Sequence, residues 1–128
     1  MHWNKGGTMK IMQGDLLNLA EQGHFDIILH GCNCFNTMGA GLAKQIKQKY
    51  PNVALADAQS VRGDYDKLGT VEFVDVGEFL VGNAYTQYRY GGKQADYNAI
   101  RSCFKQVAEV FKTARIGYPK IGADLAGS

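Results

Sequence analysis

The segment from Phe25 to Ile46 constrains this chain more than any other. Phe25-Asp26-Ile27-Ile28-Leu29 is an almost continuous apolar run, the pattern of a strand covered on both faces by helices. It passes at once into His30-Gly31-Cys32-Asn33-Cys34-Phe35-Asn36-Thr37-Met38-Gly39-Ala40-Gly41. Beyond it, Leu42, Ala43 and Ile46 recur at helical spacing, with Lys44, Lys47 and Lys49 outside. A covered strand that feeds a glycine-bearing loop and then a helix is the opening of an α/β unit. Such a loop turns unpaired backbone N–H groups and the positive end of the helix dipole toward its occupant, which suits a phosphate or diphosphate. Its spacing is neither a Walker loop nor the dinucleotide fingerprint, since GxxxxGK[ST] is absent and the third glycine is lacking.

The rest of the chain continues the alternation. Residues 1–8 are polar and glycine-bearing and predict a flexible arm. A short strand is expected over Met9–Gln13, stopped by Gly14-Asp15, and Leu16, Leu17, Leu19 and Ala20 suit a short helix. Pro51 ends the helix after Gly41 at Tyr50, and a second helical piece follows over Val53–Gln59. Thr70–Val76 and Glu78–Ala84 read as adjacent strands joined at Gly77, and Tyr88–Lys93 as a loop. Between Ala95 and Ala114, Tyr97, Ile100, Phe104, Val107, Val110 and Phe111 form one apolar helical stripe. A last strand, Ile116–Ile121, runs into Gly122-Ala123-Asp124-Leu125-Ala126-Gly127. With no repeat or composition break, the expectation is one α/β domain over residues 9–128 with a mixed, largely parallel sheet.

Composition narrows the function. Fourteen Lys and Arg against twelve Asp and Glu leave a net charge of +2, which argues against a protein that blankets nucleic acid phosphates but leaves room for a small anionic ligand. Three cysteines, two of them at Cys32 and Cys34, suggest neither a disulfide framework nor a CxxC zinc site, so a reducing, cytoplasmic setting is expected. No apolar run approaches the roughly 20 residues of a membrane span, and the first ten residues lack the order of a signal peptide. Neither membrane nor nucleic acid is an expected partner, and a monomer is favoured.

In open α/β sheets ligands collect outside the carboxyl ends of strands. Four such places carry distinctive residues: Gly14-Asp15-Leu16-Leu17, then His30-Gly31-Cys32-Asn33-Cys34 continuing to Met38-Gly39-Ala40-Gly41-Leu42-Ala43, then Asn83-Ala84-Tyr85-Thr86-Gln87, then Tyr118-Pro119-Lys120-Ile121-Gly122. In this order and at these intervals they resemble the macrodomain family of ADP-ribose binding modules, from about Met9 to the last residue. Within the family the CNC triplet before a GAG turn is most similar to the branch of ADP-ribose 1''-phosphate phosphatases and ADP-ribosyl-ester hydrolases.

The resemblance implies a three-layer α-β-α fold and a set of roles. Asp15 would accept from the adenine amino group and Asn33 would meet the distal ribose, while Leu16, Gly31 and Cys32 would also contact the ligand. Gly39, Ala40 and Gly41 would form the first phosphate loop, and Ile121, Gly122, Ala123, Leu125 and Ala126 the second. Asn83 and Tyr85 would line the same edge. Each has a plainer reading as well: Asp15 as a helix N-cap, Asn33 as a turn residue, Cys32 and Cys34 as packing groups, Tyr85 and Tyr88 as ordinary core or as an aromatic wall. His30, expected at the end of its strand, is a candidate general acid or base, with a hydrogen-bonded structural histidine as the alternative. Asp124 is a candidate for orienting a water, although the family usually has glycine there. A lysine nucleophile used by one branch follows the strand that here carries Asn83, and Asn83 cannot form a Schiff base. The expected catalytic set is therefore His30, Asn33 and Asp124, with no metal and no cofactor. The family continues past the second loop into a further helix, so residues 9–128 are expected to be a macrodomain without its C-terminal helix. The expected function is binding of ADP-ribose, or of an ADP-ribosylated protein, with hydrolysis of ADP-ribose 1''-phosphate or ADP-ribosyl esters; the alternative is a reader module without turnover.

Overall fold

Burial of both faces of the central apolar run sets the architecture. The computed structural model describes residues 2–5, 8–11, 15–36, 38, 41–89 and 96–119. Its strands are β1 (His2–Lys5), β2 (Thr8–Ile11), β3 (Ile27–Asn33), β4 (Val71–Asp75), β5 (Leu80–Gln87) and β6 (Ile116–Tyr118). Its α-helices are α1 (Leu16–Glu21), α2 (Gly41–Lys49), α3 (Pro51–Gln59) and α4 (Tyr97–Val110), and a 3-10 turn covers Tyr65–Lys67. The strands form one sheet in the order β2-β1-β6-β3-β5-β4.

The sheet is mixed. Its centre is parallel, β3 pairing with both β5 and β6, while β1 runs antiparallel to β2 and β6, and β4 antiparallel to β5. Side chains alternate across β3 as a pleated strand requires. Ile28, with Val81 of β5, packs against Leu16 and Leu17 of α1, Leu42 and Ile46 of α2, and Val53 of α3. Ile27 and Leu29 face Cys103 and Val107 of α4, together with Ile116 and Tyr118 of β6. Helices thus cover both faces. At the centre side chains fill the space beside Gly82: a Cβ there would lie 2.5 Å from Leu29 Cδ2 and 2.9 Å from Val71 Cγ1, so both would have to shift to admit one.

Local chemistry sets the helix ends. Asp15 and Asp96 cap α1 and α4 by accepting from Asn18 N–H and Ala99 N–H, and Pro51 opens α3 where its absent N–H costs nothing. Among the described residues, no helix is long and apolar enough to cross a membrane.

Three expectations change. His2–Lys5, expected to be part of a flexible arm, form β1 between β2 and β6; a polar segment can join a sheet because backbone groups make the ladder. The strand expected over Met9–Gln13 is described as Thr8–Ile11, and residues 12–14 lie outside the described residues. β3 is displaced along the chain. The strand runs over Ile27–Asn33 rather than Phe25–Leu29, with the Asp26 backbone bonded to Arg115 O and Leu80 N at its start and the Asp26 carboxylate 3.0 Å from Arg115 Nη2.

Candidate functional site

The carboxyl halves of β3 and β5 lie side by side in the middle of the sheet. The register matches His30 with Asn83, Gly31 with Ala84, and Cys32 with Tyr85, then shifts at a bulge so that Asn33 matches Gln87. His30 and Asn83 were expected at strand ends. Both are inside the ladder, because their polar side chains bond one another and need no turn to reach a partner. His30 is 1% exposed and Asn83 0%.

A polar network runs inward from this pair. The Asn83 amide oxygen can only accept, so the bond between His30 Nε2 and Asn83 Oδ1 puts the ring proton on Nε2. Burial pushes the His30 pKa down to about 4, only partly opposed by the Asn83 bond. The imidazole is therefore neutral near pH 7. Asn83 Nδ2 donates to Val53 O of α3 at 3.3 Å and reaches Glu72 Oε1 of β4 at 3.5 Å. Tyr85 OH donates to Asp57 Oδ1 at 2.8 Å. Lys67 Nζ lies 5.0 Å from the Tyr85 ring centroid and donates to Asn36 Oδ1 and Ser60 Oγ at 2.6 and 2.9 Å. Burial raises the carboxyl pKa values of Asp57 and Glu72 and the Tyr85 phenol. Burial also raises the thiols of Cys32 and Cys34, the first far above its ordinary value. Both sulfurs stay protonated near pH 7 and behave as packing groups in the cluster of Cys32, Cys34 and Tyr85. Tyr85, weighed as an aromatic wall for a ligand, is 2% exposed and forms part of this interior.

The strand ends are different. Asn33 Oδ1 accepts from Phe35 N–H at 2.8 Å, an Asx turn that takes the chain out of the sheet. Phe35 meets Tyr88 edge-on at 5.0 Å, Tyr65 stands 5.1 Å from Tyr88, and the Arg89 guanidinium lies 5.5 Å from the Tyr88 ring centroid. Asn36 adopts φ 60° and Gly41, the first residue of α2, φ 57°. A side chain would strain the backbone at Gly41. Asp15 is exposed, and besides capping α1 it borders an open cleft of about 380 Å³ with Asn18, Gln45 and Lys49. Leu16 is a core residue. Gly39, Ala40, Ile121, Gly122, Ala123, Asp124, Leu125 and Ala126 lie outside the described residues.

The structure thus brings together His30, Cys32, Asn33, Asn83 and Tyr85, and sets Asp15 apart at the start of α1. Sequence reasoning missed Asp57, Glu72 and Lys67, and named Gln87 only as part of a motif, with no role. Asp57 carried a signal: it lies four residues after buried Val53, on the inward face of α3, where a carboxylate demands a partner. Among the described residues no cluster of His, Cys, Asp and Glu is grouped to hold a metal ion.

The family described as Macro domain matches residues 29–128. The chain is 32% identical over 126 residues to the "Uncharacterized 17.5 kDa protein in tk-vs intergenic region" of Enterobacteria phage T4, covering 91% of this chain and 79% of that protein. A shorter stretch of 45 residues, 35% of this chain and 21% of the relative, is 42% identical to an ADP-ribose 1''-phosphate phosphatase of Aspergillus oryzae. Among solved structures, Thermosipho africanus DarTG in complex with ADP-ribose superimposes with a TM-score of 0.68 at 16% identity, over 90% of this chain and 33% of that one.

Proposed function

The chain belongs to the macro domain family, and from that premise we propose that it binds ADP-ribose at the carboxyl edge of β3 and β5 and hydrolyses ADP-ribose 1''-phosphate or an ADP-ribosyl ester there. The observation that carries the reading is the position of Asn33. It closes the central strand, is 5% exposed, and is fixed by its Asx turn directly before the loop that leads to Gly41 and α2. An amide held in that way can bond ribose hydroxyls as donor and acceptor without reorganising. In this reading Asp15 accepts from the adenine amino group, Gly39–Gly41 and Ile121–Ala126 hold the diphosphate through backbone N–H groups, and Asp124 orients the attacking water. His30 takes a positioning role: a neutral, enclosed imidazole bonded to Asn83 cannot exchange protons with a substrate at the edge. The named activity of the Aspergillus oryzae relative and the ADP-ribose in the Thermosipho africanus complex support the reading.

A second reading, a module that binds without turnover, is favoured by one observation. His30, Cys32 and Cys34, which flank Asn33 in the sequence and carry groups able to act as base or nucleophile, are all buried. Calorimetric titration with ADP-ribose, run beside phosphate release from ADP-ribose 1''-phosphate and ADP-ribose release from an ester-modified protein, separates the two. Binding with release supports the enzyme; binding without either release leaves the reader.

A further inference from the structure

We infer that the side-chain carbonyl of Gln87 is a specificity-determining acceptor, poised for a hydroxyl group of the ligand beside Asn33. Gln87 is the last residue of β5 and is 6% exposed. Its Oε1 is buried, and it is the one buried side-chain polar atom among the described residues with no hydrogen-bond partner. Its neighbours on the same ladder are equally enclosed, yet satisfied. Asn83 bonds His30 and Val53, and Tyr85 bonds Asp57. Folded proteins leave very few such groups unpaired, because the lost hydration is not recovered. Among the described residues none donates to Gln87 Oε1, which leaves this acceptor open to a ligand hydroxyl.

Position and chemistry identify that donor. Gln87 is the register partner of Asn33 across the bulge, at the carboxyl edge where α/β sheets take their ligands. An amide oxygen accepts and never donates, so it matches a hydroxyl and not a phosphate oxygen, which only accepts near neutral pH. The inference rests on the ADP-ribose reading, within which the hydroxyl belongs to the distal ribose held by Asn33. A site with a buried acceptor discriminates against a ligand without the matching donor, since binding that ligand leaves the acceptor unpaired for good.

The test is calorimetric titration of wild type and Gln87→Met with ADP-ribose, with ADP, which lacks the distal ribose, and with ADP-ribose analogues lacking one distal-ribose hydroxyl. Thermal melts of both proteins accompany it. Gln87→Met is expected to lose about tenfold in ADP-ribose affinity, the equivalent of one hydrogen bond to a buried acceptor, to bind ADP like wild type, and to melt no lower than wild type. On the unmutated protein, one deoxy analogue is expected to bind about tenfold more weakly, a difference that Gln87→Met abolishes. Unchanged ADP-ribose affinity in the variant overturns the inference. So does a lower melting temperature with equal losses for ADP and ADP-ribose, which marks the amide as a folding element. A wild-type protein that binds neither nucleotide overturns the ADP-ribose reading itself, and the inference with it.

Discussion

The ladder between β3 and β5 has two halves that are buried alike and built differently. In the first, Ile27, Ile28 and Leu29 match Leu80, Val81 and Gly82, and Ile27, Ile28, Leu29 and Val81 are at most 1% exposed. In the second, His30, Cys32 and Asn33 match Asn83, Tyr85 and Gln87, none more than 6% exposed. The first half stabilises by removing apolar surface from water. The second returns little by that route and must supply a hydrogen-bond partner for each polar group it encloses. Val53 O, Glu72 and Asp57, contributed by α3 and β4, do so for Asn83 and Tyr85, whereas Gln87 Oε1 has none among the described residues. The same fold therefore holds a core that specifies stability next to a core that specifies geometry, and the polar one lies toward the carboxyl ends of β3 and β5.

Substitution separates the two halves. Leu29→Ala removes a fully buried side chain packed between β5 and α4 and is expected to cost about 2 to 5 kcal/mol of stability, read as a lower denaturant midpoint. Its ADP-ribose affinity, measured where the variant is folded, should be unchanged. A large loss of affinity without a loss of stability would break the division.

Acid tests the polar half. His30 is held at about 4 when folded and returns to its ordinary 6.5 on unfolding, so between those values the unfolded chain binds the extra proton. Its contribution is fully present above pH 6.5 and is lost as pH falls toward 4, amounting to roughly 3 kcal/mol at most. Asp57 and Glu72 oppose this. Burial raises their pKa values, so the folded state takes up their protons first and gains relative stability as pH falls. His30→Gln, whose amide can still donate to Asn83 Oδ1, should flatten the acid limb of stability between pH 6.5 and 4. Identical limbs in variant and wild type would remove His30 as the group that shapes it.

The apolar half was legible in the sequence because hydrophobic periodicity reports burial directly. Phe25–Leu29, the stripe of α4 and the strand pair about Gly77 all led to the right elements, with boundaries shifted by a few residues. The polar half was not legible as strand. Gly31–Asn33 and Tyr85–Gln87 read as loop, and His30 only as a strand end, since residues such as His, Asn and Gln mark exposure unless their partners are known, and the partners of this half lie on β5, α3 and β4, between 11 and 53 residues away in the chain. For the same reason the sequence showed which residue types gather at the edge, but not that His30 and Tyr85 turn inward or that the Gln87 side-chain oxygen has no described partner.

Asp15 gives the smallest expected effect and the clearest separation of structure from binding. It lies outside both halves, is exposed, and its one described side-chain bond is local, accepting from Asn18 N–H at 3.2 Å. Asparagine caps a helix about as well as aspartate, whereas alanine does not. Asp15→Asn should therefore leave the melting temperature nearly unchanged, and Asp15→Ala should cost about 1 kcal/mol. Binding should divide the variants another way. If the carboxylate accepts from an adenine amino group, Asp15→Ala weakens ADP-ribose by about 1 to 3 kcal/mol, and Asp15→Asn keeps part of that through its amide oxygen. Affinity that follows stability across the two variants would instead mean that Asp15 serves the ligand only by holding α1 in place.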